Sequence, residues 1–411
     1  YEDATVTTLA GNGLPGFADG VGTNAQFNSI SAIHLDSMGD LIVGEFAGAI
    51  RKVTPSGQVT TLLDYQTLTN SGPPILDQIG IYLSDLCIAS NGAIYFTATY
   101  DNRIWKLDPT NGLAPFAGTG GPTFQLQDGP PGIGTFLNPT VMALDSRGNI
   151  FVADDNGALI RKVAPDGTIS TLVQSSFLNN YNWTGLALDQ AGNLFGVSSQ
   201  NGDSEIFQIS SNGQVQHFSG NSAPGWDGPA DQASFNLSDY AFSAAIDSSR
   251  NLYTTLYTVL TLGQVETHSW IRKFHPEGSI TTLAGSWDSN DSATYRDGNS
   301  DQATFNGPPS LCVDTNGIVY VADWGDYAIR KITPAPKLQI TAALLPPNKT
   351  LMLSWPSLAG HFYQVQSSPD LRTWIAIADW IAGADGSLTF TNPLGPIQTT
   401  NQFFRVQARH D

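Results

Sequence analysis

Charge is scarce in this chain. Only 13% of its 411 residues are Asp, Glu, Lys or Arg, and 18 basic residues stand against 36 acidic ones, a formal net charge of −18. A protein that grips nucleic acid needs a basic face to neutralise phosphates. Ten of the 18 basic residues lie in one recurring motif, leaving eight for every other surface. Nucleic acid is thereby excluded as a partner, and an anionic membrane surface is disfavoured for the same reason. Two cysteines, Cys87 and Cys312, are too few for a disulfide framework. No apolar run reaches the roughly 18 residues of a membrane span, and no segment carries helical periodicity. A Gly-x-Ser-x-Gly elbow, a phosphate loop and EF-hand spacing are all missing. The six histidines, His34, His217, His268, His275, His361 and His410, show no metal-ligand spacing. No metal and no cofactor are expected.

What the chain has instead is a refrain. Ile50-Arg51-Lys52-Val53-Thr54-Pro55 returns as Ile160-Arg161-Lys162-Val163-Ala164-Pro165, Ile271-Arg272-Lys273-Phe274-His275-Pro276 and Ile329-Arg330-Lys331-Ile332-Thr333-Pro334. Ile104-Trp105-Lys106 is a worn copy and Ile206-Phe207-Gln208 a nearly erased one. From Arg51 to Arg330 five intervals cover 279 residues, about 56 each. Within the last unit, four short β-branched segments are separated by turns such as Thr315-Asn316-Gly317, whose glycine can take positive φ. Four antiparallel strands per unit describe one propeller blade. The predicted fold is all-β: a six-bladed β-propeller over residues 1–335, followed by a small β-sandwich over 336–411. The opening Thr7-Thr8-Leu9-Ala10-Gly11 matches Thr281-Thr282-Leu283-Ala284-Gly285, and no such strand follows Arg330. The N-terminal strand is therefore expected to complete the last blade and remove a free sheet edge.

The loop Asp-Gly-x-x-x-x-Ala-x-Phe, the Val-Ala-Asp at Val152-Ala153-Asp154 and Val321-Ala322-Asp323, and the Ile-Arg-Lys ending together resemble the NHL-repeat family, over residues 4–334. The resemblance implies the propeller and leaves function open, because such propellers serve as enzymes, RNA-binding modules and protein-binding domains. After Pro334 the pattern changes. Leu351-Met352-Leu353-Ser354-Trp355-Pro356, Tyr363-Gln364-Val365-Gln366 and Phe403-Phe404-Arg405-Val406 resemble a fibronectin type III module of the kind appended to secreted bacterial proteins, with Trp355 as its core tryptophan.

Candidate binding residues sit in loops and at departures from the repeat. Asp227 and Asp297 open two of the four Asp-Gly loops, with Trp226 and Trp287 nearby as aromatic surface. Each Asp also suits a turn cap, and Phe27, Phe136, Phe235 and Phe305 suit packing between blades. In the fifth unit an insertion containing Val259, Leu260 and Leu262 reads as an extended hairpin and a candidate contact surface. His34 and the two cysteines share the axial strand position, where small buried filler is the expected role. A start at Tyr1 rather than Met, and a composition rich in Gly, Ser, Thr and Asn, suggest a processed, secreted or cell-surface protein. The function expected is a non-catalytic structural or binding protein that contacts proteins, itself included as a homo-oligomer or filament. Two alternatives stand beside it: a lyase or hydrolase acting at the axial mouth, and a carbohydrate-binding protein with a glycan as partner.

Overall fold

The structure is a computed structural model that describes residues 2–64, 82–120, 125–154, 159–174, 182–200, 203–219, 227–228, 239–261, 265–286, 296–335, 341–345, 350–357, 361–369, 372–384, 386–391 and 403–410. The chain divides into two compact units, Tyr1–Pro334 and Ala335–Asp411. Among the described residues every regular element is a strand, apart from two single 3-10 turns at Gly22–Asn24 and Thr99–Asp101.

Among its described residues the first unit contains six antiparallel sheets of four or five strands. Sheet 1 holds Ile30–Leu35, Leu41–Glu45, Ile50–Val53 and Gln58–Leu63. Sheet 2 spans Leu83–Ile88 to Gly112–Ala117, sheet 3 Met142–Leu144 to Ile169–Gln174, and sheet 4 Asn182–Leu188 to Val215–Ser219. Sheet 5 runs from Asp239–Ile246 to Ile280–Ala284. Sheet 6 holds Ser310–Val313, Val319–Asp323 and Ala328–Pro334, and its next strand is the N-terminal Ala4–Ala10, in register from Ala4↔Pro334 to Ala10↔Ile329.

Local chemistry fixes the hairpins. In five sheets an aspartate ends the first strand and accepts backbone N–H groups two and four residues on, as Asp36 does from Met38 and Asp40 and Asp314 from Asn316 and Ile318. Gly39, Gly148, Gly192 and Gly317 take the left-handed step of that turn, with φ near +80°. In sheet 5 the step falls to Arg250 at φ +66°, and its guanidinium reaches Asp189 of sheet 4 at 3.2 Å.

Second strands are buried on both faces: Leu41–Glu45 and Val319–Asp323 are buried at every residue. Such strands read as continuous apolar runs because sheets pack on both sides. Apolar layers lie between consecutive sheets, joining Ile42 and Ile50 to Phe96 and Trp105, or Tyr253 and Ile271 to Val321 and Ile332. A further layer joins Cys312, Tyr320 and Ile329 of sheet 6 to Ile33, Val43 and Val53 of sheet 1.

The refrain supplies a clasp in four sheets. Arg51, Arg161 and Arg330 are fully buried. Arg51 donates from Nη1 to Glu45 (2.9 Å) and from Nη2 to Asp19 (2.6 Å). Arg161 bonds Asp154 and Asp128, and Arg330 bonds Asp323 and Asp297. Each outer aspartate also accepts the N–H and hydroxyl of a threonine on the outermost strand: Thr61, Thr171 and Thr8. Asp227 repeats this with Thr282 and Arg272. Beside each of these arginines the pairing shifts register, so the Leu after the threonine is the extra residue of a bulge. Phe27, Phe136 and Phe305 lie 5.2–5.8 Å from the guanidinium carbons. The outer aspartates thus tie a loop to its own sheet across the outer strand, a longer reach than the local turn cap expected from sequence.

The second unit has one sheet of Thr341–Leu345, Thr350–Ser357 and Gly386–Thr391, and another in which His361–Ser368 pairs with Phe403–His410, Ile375–Ala376 and Ile381–Ala382. Trp355 is buried with Leu353, Tyr363 and Val365, its ring 6.1 Å from that of Tyr363. The segment Trp374–Ala378 contributes only a two-residue strand, Ile375–Ala376.

Two outcomes follow from the clasp and the N-terminal pairing. Arg161→Ala strips a cation from two carboxylates, one of them fully buried, and is expected to lower urea-unfolding stability by about 3–5 kcal/mol. Lys52→Ala, at a partly exposed pair with Asp40, is expected to lower it by about 1 kcal/mol or less; equal losses would refute the clasp as the dominant polar contact. Removing residues 1–10 uncovers the Ala328–Pro334 edge, and light scattering is expected to detect self-association that a synthetic Ala4–Ala10 strand suppresses.

Candidate functional site at the axial mouth

The first strands of all six sheets surround one passage: Leu35, Cys87, Ala143, Ala187, Ala245 and Cys312, one from each, line its inner chamber of about 250 Å³. At the other end the passage opens into a mouth of about 720 Å³, joined to the chamber by a neck of about 30 Å³. The strands begin at the mouth with small hydroxyl residues, and these staple neighbouring sheets. Thr184 donates to the Ala241 carbonyl (2.7 Å), Ser310 accepts from the Ile33 N–H, and Ser243 accepts from the Leu311 N–H, both at 3.1 Å. In the neck His34 Nε2 lies 3.3 Å from Asp85 Oδ1, while the Met142 N–H donates to Asp85 Oδ2.

Aromatic rings gather at the mouth. The turn after the second strand carries Phe46 in sheet 1, Tyr100 in sheet 2 and Trp324 in sheet 6, exposed by 43%, 56% and 52%. Tyr82 bridges two of them, with ring centroids 4.7 Å from Phe46 and 4.8 Å from Tyr100. Phe46, Trp183, Phe242 and Trp324 line the cavity among neutral hydroxyl and amide groups, and no charged side chain is among its described lining residues. Three non-glycine residues along the passage, Ser29, Asn138 and Ser243, have φ of +53°, +75° and +62°. Backbone strain of this kind persists where the surroundings impose it, and it concentrates at functional sites. Close packing imposes it here, since a Cβ on Gly185 would lie 2.3 Å from the Ser243 carbonyl carbon.

The residues singled out from sequence fall in different places. Asp227 and Asp297 belong to the arginine clasps, Asp297 with its side chain 45% exposed. Trp226, Trp287 and Leu262 lie outside the described residues. Val259 and Leu260 are in a hairpin whose two ten-residue strands pair from Leu252↔Phe274 to Thr261↔Val265. Cys87 and Cys312 are free and buried; burial pushes both thiols well above their ordinary range, with Asp85 and Asp314 adding to it. Among the described residues no group of three or more His, Cys, Asp or Glu is placed to hold a metal ion. Sequence reading missed the mouth aromatics, although a signal was present: Phe46 and Trp324 each directly follow the acidic residue that ends a second strand.

Comparison with known proteins bears on the fold. The profile of the Teneurin NHL domain matches residues 132–333. Teneurin-4 of Mus musculus is 29% identical over 347 residues, covering 73% of this chain and 12% of that protein. Teneurin-3 of Danio rerio is 27% identical over 376 residues, 80% of this chain and 13% of that protein. The chain thus spans about an eighth of the length of these relatives. A Bacteroides thetaiotaomicron protein of unknown function superposes with a TM-score of 0.59 at 18% identity, over 81% of this chain and 76% of that one. An auxiliary nutrient binding protein from Bacteroides ovatus gives 0.54 at 17%, over 82% and 78%. The fold is of the NHL-type β-propeller kind, all-β and nearly without helix.

Proposed function

We propose that the chain is an extracellular, non-catalytic binding protein that contacts protein partners through the axial mouth. In this reading residues 1–335 form a six-bladed ring closed by the N-terminal strand, and residues 336–411 form a fibronectin type III-like module. The carrying observation is the set of exposed rings Phe46, Tyr100 and Trp324, with the half-buried Tyr82 between the first two. Aromatic residues are enriched in protein interfaces, and a cluster of them around a concavity on an otherwise polar surface marks a contact site. Charge supports the choice of partner. Arg51, Arg161 and Arg330 are fully buried, so the motif that holds most of the positive charge keeps its arginines from any phosphate. The long hairpin of sheet 5 is a second contact surface and the natural place for self-association.

A carbohydrate is the second reading, favoured by the neutral Ser29, Asn138 and Asn182 beside Trp324 in the mouth. One experiment separates the two. Random-peptide display and a glycan array are run against the wild-type chain and a Phe46→Ala/Trp324→Ala variant. Peptide binders lost in the variant are expected. Glycan binders lost in the variant would replace the protein reading with the carbohydrate one, and binders of either kind that ignore the substitutions would move the site away from the mouth.

A further inference from the structure

Sheet 6 carries one carboxylate too many. In the first clasp Arg51 serves two acids, Asp19 and Glu45, and in the third Arg161 serves Asp128 and Asp154. Arg330 serves Asp297 and Asp323, yet a third acid, Asp326, is packed against the same group. Asp323 is fully buried and Asp326 is 6% exposed. Asp323 accepts from the Asn306 N–H at 2.8 Å and from Arg330 Nη1 at 3.0 Å. Asp326 Oδ1 is 3.5 Å from Asn306 Nδ2, and its buried Oδ2 meets no donor. Both carboxyl groups thus reach the same Asn306 in a buried turn, one of them with an oxygen left unpartnered, and two buried like charges so placed favour a proton on the pair.

Their placement gives that proton a mechanical consequence. Asp323 and Asp326 bracket a tight turn, Asp323-Trp324-Gly325-Asp326-Tyr327, that presents Trp324 to the mouth. The turn is strained: Tyr327 sits at φ +48°, which a bulky side chain rarely adopts. It is also cramped, since a Cβ on Gly325 would lie 2.3 Å from the Asn306 side chain. Three hydrogen bonds hold it: Gly325 N–H to the Asn306 carbonyl, Tyr327 N–H to the Trp324 carbonyl, and Asn306 N–H to Asp323.

We propose that this turn is a proton-operated latch on the mouth, closed while Asp323 and Asp326 share a proton and released when both are ionised. The role of the latch in binding rests on the mouth being the contact site. Arg330 is the cation that faces the pair, and Asp297 on its other nitrogen competes for it. Burial, with the Asp326 charge behind it, pushes the Asp323 carboxyl up to about 7, and burial raises Asp326 as well. A raised value in the folded state means that the stabilisation from the shared proton is complete at acid pH. It is lost as pH climbs through neutrality.

The test is hydrogen–deuterium exchange on the full chain at about pH 6 and about pH 8.5, corrected for the intrinsic rate, in wild type and Asp326→Asn. In wild type the segment 323–327 is expected to exchange about tenfold faster at the higher pH. The Asn amide donates permanently to Asp323, so the variant is expected to stay flat, and its melting temperature should exceed wild type only above neutrality. Asp326→Ser, which also removes the surplus charge, serves if the Asn variant does not fold. A wild-type segment indifferent to pH, or variants that keep the wild-type profile, would overturn the latch. Mouth binders whose affinity falls at the higher pH in wild type alone complete the case. Mouth binders indifferent to pH in both proteins remove the regulatory role, while exchange that responds alongside binders that bypass Trp324 upholds the latch and condemns only the mouth reading.

Discussion

A fully buried guanidinium organises this fold. Moving a cation out of water costs several kcal/mol even after relaxation, so Arg51, Arg161 and Arg330 are stable in place only with acids and carbonyls around them. Meeting that requirement dictates the local chain path. The second strand must end in Glu or Asp, and the Asp-Gly loop must cross the outer strand. That strand must bulge after a threonine to present its N–H and hydroxyl together. Partial burial would raise the Asp19 and Asp128 carboxyls. The donors from arginine and threonine outweigh it and hold both below the ordinary range. Where the clasp is missing, aromatic side chains take its place, by a hydrogen bond in one sheet and by packing in another. In sheet 2 Trp105 Nε1 donates to Asp101 at 2.9 Å, and in sheet 4 Phe207 packs edge-on against Trp183 at 5.6 Å.

This use of charge shapes what the surface can do. A chain with few cations, three of them sealed inside, presents a mouth of rings, hydroxyls and amides. Recognition there depends on shape, apolar contact and short hydrogen bonds rather than on long-range steering, and it should be largely insensitive to salt. The hydroxyl residues that open the first strands serve two ends at once: they staple sheet to sheet and keep the mouth neutral.

Much of the fold was legible because its constraints repeat. The Ile-Arg-Lys refrain and the glycine of most hairpin turns both follow from one unit read several times. The mouth was harder to see. Its rings lie in the turn after the second strand, where successive units differ in length and composition, so no periodicity marks them. Asp227 and Asp297 looked like ligand-binding residues because a polar loop with an exposed carboxylate looks the same whether the acid faces a ligand or an arginine. Only the partner, 33 residues away for Asp297 and brought close by the outer-strand pairing, separates the two meanings. In the second unit the core tryptophan was legible through the resemblance to a fibronectin type III module, and Trp355 is indeed buried. The two-residue pairings at Ile375–Ala376 and Ile381–Ala382 were not, since so short a ladder depends on its partner strand.

The clasp also shows why sheet 6 behaves unlike its siblings. A buried cation balanced by two acids leaves the site singly negative, and hydrogen bonds from backbone and threonine disperse that charge. A third acid changes the balance: among the described residues Arg330 is the cation that faces the pair, and the group relieves the excess by holding a proton or by letting a carboxylate reach water. The first keeps the turn closed, and the second requires the turn to move. Since the same turn carries Trp324, the protonation state of a group with no access to solvent is coupled to a ring that half faces it. A repeated structural device, altered at one residue, thus becomes the one place in the described ring where the electrostatics of the core and the shape of the mouth are a single variable.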